Sequence, residues 1–318
     1  MTLFPVSGLA FLTCLSLHSF SPTGDCTAQD KVRQRAHLQF DGDRAYRYLI
    51  RQTEFGPRGP GLPGHGRCLR YLKAELAKLA DSVTSQEFFT TLSSGTQVSL
   101  TNLIAAFNPR SPKRILLSAH WDTRLWADKD PDQANHAKPI IGANDGASGV
   151  AVLLEIARQL KEHAPPVGVD IVLFDGEDLG TSGVPESFSL GSRHFATTKS
   201  PSYQPMFGIN IDMIGDRELR IYREQNSERM APQVQAIVFS AARELGISQF
   251  LHSTGPEVSD DHLPLNRAGI PTINLIDFDY PDESNRYWHT TADTPDKCSP
   301  ESLQAVGTVI LYVLRKQS

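Results

Sequence analysis

Cysteine is scarce in this chain, with four among 318 residues. Cys14 lies in an apolar leader, and Cys26, Cys68 and Cys298 remain. None stands at zinc-ribbon spacing, so they are not read as metal ligands. One pair could form a disulfide, and the sequence does not choose it. Positive charge is also short. Lys and Arg number 31 against 36 Asp and Glu, a net charge of −5. That balance gives no reason to expect nucleic acid or an anionic membrane as partner. Internal repeats and low-complexity tracts are absent, and apolar and charged fractions are those of a globular protein.

The opening "MTLFPVSGLAFLTCLSLHSFSPTGDC" is apolar from Leu3 to about Phe20. That is short for a membrane span and right for a signal-peptide core. It has no Lys or Arg ahead of the apolar run and no clean small-x-small cleavage site. Residues 1–25 are expected to be a signal peptide. The mature chain would then be periplasmic or secreted, with no stable membrane span.

Further on, "RAYRYLIRQT" has helical periodicity and "EFGPRGPGLPGHG" is loop by its Gly and Pro content. In "RCLRYLKAELAKLA", Leu69, Leu72, Leu76 and Leu79 fall on one helix face. "SQEFFTTL" and "TQVSLTNLIAAF" alternate as a hairpin would. Then strands and helices alternate: "RILLSAH", a helix over 147–161, "GVDIVLFDGED", "MFGINIDMIG", "VQAIVFSAARELG", "IPTINLID" and a last helix starting near Pro300. Continuous apolar strands between helices predict a mainly parallel sheet covered on both faces. Ligands of such sheets bind beyond the carboxyl ends of the strands.

That rule gathers the polar residues. His120 and Asp122 follow the first of these strands. Asp175, Glu177 and Asp178 end the second, and Asp212 ends the third. Asp145 stands at a helix start beside this rim; taken alone it reads as a helix cap, and set beside the other rim residues it reads better as a metal ligand, the two roles being compatible. Adjacent acids such as Glu177 and Asp178 repel unless a cation or a shared proton relieves them. One can bind metal while its neighbour handles protons. Asp212 is flanked by apolar residues and needs a partner. "SDDH" adds Asp260, Asp261 and His262, and "YWHTTADT" places His289 beside Trp288. Oxygen and nitrogen donors without thiolate suit a catalytic zinc with an open position.

Taken together, His-x-Asp, Asn-Asp-Gly-Ala-Ser-Gly, Asp-Gly-Glu-Asp, Ile-Asp-Met-Ile-Gly, Asp-Asp-His and Trp-His-Thr resemble the M28 zinc aminopeptidase clan. Within it, the chain is similar to bacterial glutaminyl-peptide cyclotransferases (glutaminyl cyclases) of the animal-like type. The resemblance runs from about Ala45 to the C-terminus. It implies one catalytic domain over 35–318: a three-layer α/β/α sandwich with a central mixed, mostly parallel sheet, the phosphorylase/hydrolase-like zinc exopeptidase fold. It implies one zinc held by Asp145, Asp178 and His289, with Glu177 as general acid/base. Asp212 and Asp260 would form a hydrogen-bond network beside the metal, and Trp288 would line the pocket for a glutamine side chain. The substrates would be peptides or proteins with N-terminal glutamine. His120 matches a ligand of two-zinc aminopeptidases, so it would serve a second metal if the chain held two zincs and hydrolysed N-terminal residues instead. Asp178 replaces a Glu of the animal enzymes, and their following tryptophan has no counterpart in 179–189. Trp121 or Trp126 is the expected replacement. A non-catalytic exported binding domain is the third reading; binding alone needs no spare acid such as Glu177.

Overall fold

The computed structural model describes residues 1–3, 40–92 and 94–317. Beyond residue 3 the expected leader lies outside the described residues, as do Cys14 and Cys26. Residues 38–318 form one compact unit. In chain order the elements begin with helices α1 (Gly42–Thr53) and α2 (Pro63–Leu79), then strands β1 (Ser82–Thr91), β2 (Gln97–Phe107) and β3 (Arg114–His120). Helix α3 (Ala147–Glu162), β4 (Gly168–Phe174), α4 (Leu190–Thr198) and β5 (Phe207–Asp212) follow. Next come β6 (Ile221–Arg223), α5 (Gln225–Met230), α6 (Pro232–Leu245) and β7 (Phe250–Thr254). The chain ends on α7 (His262–Arg267), β8 (Thr272–Ile276) and α8 (Pro300–Arg315).

Among the described residues, six strands make the central sheet in the order β1-β2-β4-β3-β5-β8. The β1–β2 and β2–β4 pairs are antiparallel, while β3–β4, β3–β5 and β5–β8 are parallel. The hairpin therefore forms one edge, and the parallel half carries the site. β6 and β7 pair separately. Alternation along β3 splits the core. Ile115, Leu117 and Ala119 join the large cluster that takes in side chains of α1, α2, α3, α6 and α8. Leu116 faces the other way, with Val172, Phe195 of α4 and Leu265 of α7. This is the three-layer sandwich expected. Among the described residues no helix is long and apolar enough to cross a membrane.

One local expectation changes and another narrows. Helix α2 begins inside the Gly/Pro-rich stretch that reads as loop, because Pro63 occupies a first-turn position where its missing N–H costs nothing. Cys68 and Cys298 are both buried and free, so no disulfide joins that pair.

Helix α3 lies very close to the sheet. A Cβ at Gly149 would sit 2.4 Å from the carbonyl oxygen of Ile211 in β5 and 3.0 Å from Ala119 Cβ in β3. Gly149→Ala is expected to cost about 1–3 kcal/mol through forced displacement of the helix, read as a fall in the urea midpoint. An unchanged midpoint would show that the helix has room to move.

Candidate active site

The parallel strands β3, β4, β5 and β8 end on one edge of the sheet, and their carboxyl ends deliver His120, the 175–178 turn, Asp212 and the segment after Ile276. Gly146 takes φ +98°, and its Cα lies against Asp122: an added Cβ would be 2.5 Å from the Asp122 carbonyl oxygen. That glycine lets the chain turn into α3 with Asp145 at the rim. Gly146 is the helix N-cap, and α3 has no side-chain cap. The Asp145 carboxylate turns instead towards two histidines. Its Oδ1 is 3.1 Å from His120 Nε2, and its Oδ2 is 3.5 Å from His289 Nε2.

Around Asp145 the donors form two groups that share it. Asp145, Asp178 and His289 each offer an atom within 4.8 Å of the others, and so do His120, Asp145 and Asp212. His289 Nε2 lies 3.2 Å from Asp178 Oδ1, and His120 Nε2 3.2 Å from Asp212 Oδ1. Asp178 Oδ2 is buried with no hydrogen-bond partner. A buried carboxylate oxygen left bare beside a histidine and a second carboxylate is what a cation would satisfy. Two carboxylates and an imidazole suit zinc, so the residues fit that metal.

Further residues hold these in place. Asp122 accepts the N–H groups of Glu177 and Asp178 at 3.0 and 3.2 Å, and its Oδ1 lies 3.4 Å from His120 Nδ1. The sequence puts His120 and Asp122 side by side, and the second proves to support the acidic turn. Asp293 accepts from the N–H groups of Asn144 and Asp145 and from the Tyr280 hydroxyl. Arg124 is fully buried and donates to Asp178 Oδ1, to the Asp178 and Gly180 carbonyls, and to Asp128. Burial pushes Asp178 up, but His289 and Arg124 outweigh it and hold the carboxyl below its ordinary range.

Segment 127–138, which carries no motif that suggests a role, clamps the His289 loop. Asp130 accepts the Thr291 N–H and hydroxyl, and Lys129 N–H donates to the His289 carbonyl. Neither Arg124 nor Asp293 carries a local signal strong enough to be found from sequence, because each reaches the site across a loop crossing, and Asp128 is the local partner of Arg124.

Glu177 is buried, and its Oε1 accepts a hydrogen bond from Ser189 Oγ at 3.1 Å. Burial, reinforced by Asp260, Asp261 and Asp178 and opposed by His120, raises its carboxyl well above the ordinary value. Asp212 is pushed up to about 7 by burial, against the pull of His120. Asp260 accepts from Asn210 Nδ2 at 3.1 Å and Asn274 Nδ2 at 2.7 Å. Asp212 and Asp260 both line the pocket, but each is held by its own partners and no hydrogen bond joins them.

Not every acid at the rim belongs to the site. Asp175 turns away to His65 and Thr101: His65 Nε2 lies 3.0 Å from both its oxygens. His262 also points elsewhere, its Nε2 being 3.4 Å from Glu224.

Glu224 ties the Asp260 segment to α5. It accepts from the N–H groups of Asn226, Ser227 and Val258 and from the Ser227 hydroxyl. Burial would raise its carboxyl, but the His262 imidazole and these donors bring it down to about 2. A depressed folded value contributes stability above the ordinary 4.5 and loses it as pH falls towards 2. Glu224→Gln should therefore destabilise the protein by about 1.5–3 kcal/mol at pH 7. The gap from the parent should narrow as the pH falls through that window. A gap that stays constant with pH would mean the carboxylate charge is not the source.

The pocket encloses about 60 Å³, well below the several hundred Å³ of a drug-sized ligand site. Phe188, Val258, Ile276, Phe278 and Trp288 are its apolar walls, and Glu177 and the metal-type ligands its polar end. Trp288 stacks on His289 at 3.9 Å and meets Phe278 edge-on at 5.0 Å. Trp121 does not serve here. It is fully buried, stacks on His65 and donates to the Thr101 carbonyl. Trp126 packs on Arg124 rather than lining the pocket. The aromatic wall from the 179–189 stretch is Phe188, which a search for tryptophan passes over.

Comparison with known proteins gives the chain's family. The family model for peptidase family M28 matches residues 102–314. The glutaminyl cyclase of Tannerella forsythia is 41% identical, with a TM-score of 0.84, over 88% of this chain and 100% of that one. The glutaminyl cyclase of Bacteroides thetaiotaomicron, solved with N-acetylhistamine, is 40% identical, with a TM-score of 0.84, over 88% and 99%. A leucine aminopeptidase precursor from Bacteroides thetaiotaomicron is also 40% identical, with a TM-score of 0.85, over 88% and 98%.

Proposed function

The chain belongs to peptidase family M28, and we propose that within it the protein is a zinc-dependent glutaminyl-peptide cyclotransferase. It closes the N-terminal glutamine of a peptide into pyroglutamate and releases ammonia. One observation carries this reading. A buried carboxylate outside the metal-type ligand set, Glu177, held by a hydrogen bond from Ser189, lines the same small apolar-walled pocket as Asp145, Asp178 and His289. The near full-length likeness to bacterial glutaminyl cyclases supports it.

Asp145, Asp178 and His289 would hold the metal. Bound there, zinc supplies Lewis-acid polarisation of the γ-amide carbonyl. Trp288, Phe278 and Phe188 close around the methylenes of the glutamine side chain and exclude water. Exclusion of water keeps hydrolysis out and holds the chain curled back on itself, so amine and carbonyl meet without a bimolecular search. The α-nitrogen forms a bond to the side-chain carbonyl carbon, Cδ, as the bond from that carbon to the amide nitrogen breaks. Glu177 takes a proton from the attacking α-amine and returns it to the departing nitrogen, which leaves as ammonia. Asp212, through His120, and Asp260, through Asn210 and Asn274, fix the polar floor beneath the reacting atoms. One ion is enough, since water is not the nucleophile. The apolar leader over 1–25 supports an extracytoplasmic location.

A second reading, hydrolysis by an M28 aminopeptidase with two metals, is favoured by the second donor group of His120, Asp145 and Asp212. Product analysis with a glutamine-initiated peptide separates the two. Loss of ammonia from an intact peptide marks the cyclase, and release of the first residue marks the peptidase.

A further inference from the structure

Ser189 adopts φ +57° and ψ +40°, the left-handed region, immediately ahead of α4. Residues with a side chain avoid that region, and glycine is the ordinary occupant. The position is nevertheless serine, and it is buried. Two hydrogen bonds join it to one residue. Ser189 N–H donates to the Glu177 carbonyl at 2.9 Å, and Ser189 Oγ donates to Glu177 Oε1 at 3.1 Å. The first bond closes the turn and needs only the backbone N–H, so it does not depend on the side chain. The second needs the hydroxyl, and it is the one hydrogen bond the Glu177 carboxylate accepts among the described residues.

Ser189 is itself held through Ser192, in the first turn of α4. Its carbonyl accepts from Ser192 Oγ at 3.1 Å, and that hydroxyl is 2.5 Å from Asp261 Oδ1. Asp261 N–H in turn donates to the Asp260 carboxylate. A continuous set of contacts thus runs from the Asp260–Asp261 segment, through the start of α4, to one oxygen of Glu177.

We infer that Ser189 is a positioning residue for Glu177: its hydroxyl fixes Oε1 and so presents Oε2 to the reacting nitrogen. A glutamate has three rotatable bonds, and a proton carrier must keep one rotamer within hydrogen-bond reach of its target. The left-handed backbone at Ser189 costs free energy that a glycine would avoid, and the Glu177 contact accounts for the side chain being there. This inference rests on the proton-carrying role assigned above to Glu177.

The test compares Ser189→Ala, Ser189→Gly and Ser189→Asn with Glu177→Gln, measuring kcat, KM, zinc content and Tm with a glutamine-initiated peptide. Ala and Gly both remove the hydroxyl but differ in backbone strain, so Gly should be the more stable. If the hydroxyl positions Glu177, both should lose about 10- to 100-fold in kcat, with KM within about twofold and zinc content unchanged. Asn tolerates the left-handed region and carries an N–H donor, so it should recover part of the loss. Gly or Ala with parental kcat would overturn the inference, since the turn alone would then explain the residue. Glu177→Gln separates the two levels. If that variant is inactive while Ser189→Gly is unaffected, only the role of Ser189 fails. If Glu177→Gln retains full activity, the role of Glu177 fails first.

Discussion

Glu177→Gln should lower kcat by about 10²- to 10⁴-fold, the range expected for loss of a general acid/base, while Tm and zinc content stay at parental values. The reasoning is local. Glu177 is not one of the three residues assigned to the metal, and the amide is nearly the same shape. Its Oε1 counterpart can still accept from Ser189, so the turn carrying Asp178 should keep its geometry. What disappears is the capacity to take a proton from the α-amine and give it to the leaving nitrogen. KM should move little, because the pocket walls that grip the side chain are untouched. Kinetics with paired metal analysis checks this. A variant that loses zinc along with activity would instead place Glu177 among the ligands.

Removing the metal should have the second large effect. Asp145, Asp178, Asp212 and Glu177 converge on one rim, and they are offset there by His120, His289 and Arg124. With a chelator, turnover should fall to background, and added zinc should restore it. The folded state should also lose the stabilisation that bound metal gives, about 3–4 kcal/mol at free zinc 100- to 1,000-fold above Kd. For a domain of this size that is a Tm fall of roughly 5–10 °C. Titration back should reach full activity at about one equivalent, as the single-ion reading requires. Activity that needs two equivalents would favour the peptidase reading. Asp145→Ala, which removes the carboxylate shared by both donor groups, should reproduce the chelated state and resist rescue by zinc.

Much of this architecture is legible in the sequence for physical reasons. Buried parallel strands such as 114–120 and 168–174 are apolar runs ending in polar residues. The rule that ligands sit beyond strand ends then gathers His120, Glu177, Asp178 and Asp212 from the order of elements alone. The hairpin and the long helices have strong periods. Elements α4, α5, α7, β6 and β7 are too short for a period to emerge. Asp175 departs from the pattern because a strand end fixes where a side chain starts and not which way it turns, and here Thr101 and His65 capture it. Arg124 and Asp293 leave no trace in composition or spacing, because they reach the site through partners distant in sequence, and Asp128 matters only as the local partner of Arg124. Trp121 qualifies for the pocket wall by residue type alone. Its place beneath α2, stacked on His65, depends on packing between elements that no local pattern encodes.

The central claim is cyclisation at this rim, and a mass spectrum tests it most directly. The zinc-loaded protein is incubated with one peptide starting in glutamine and with the same peptide starting in leucine. The account predicts that the first loses one ammonia, keeps all its residues and can no longer be sequenced from its N-terminus, while the second is untouched. Release of free glutamine or leucine, with the remaining peptide shortened by one residue, would contradict it.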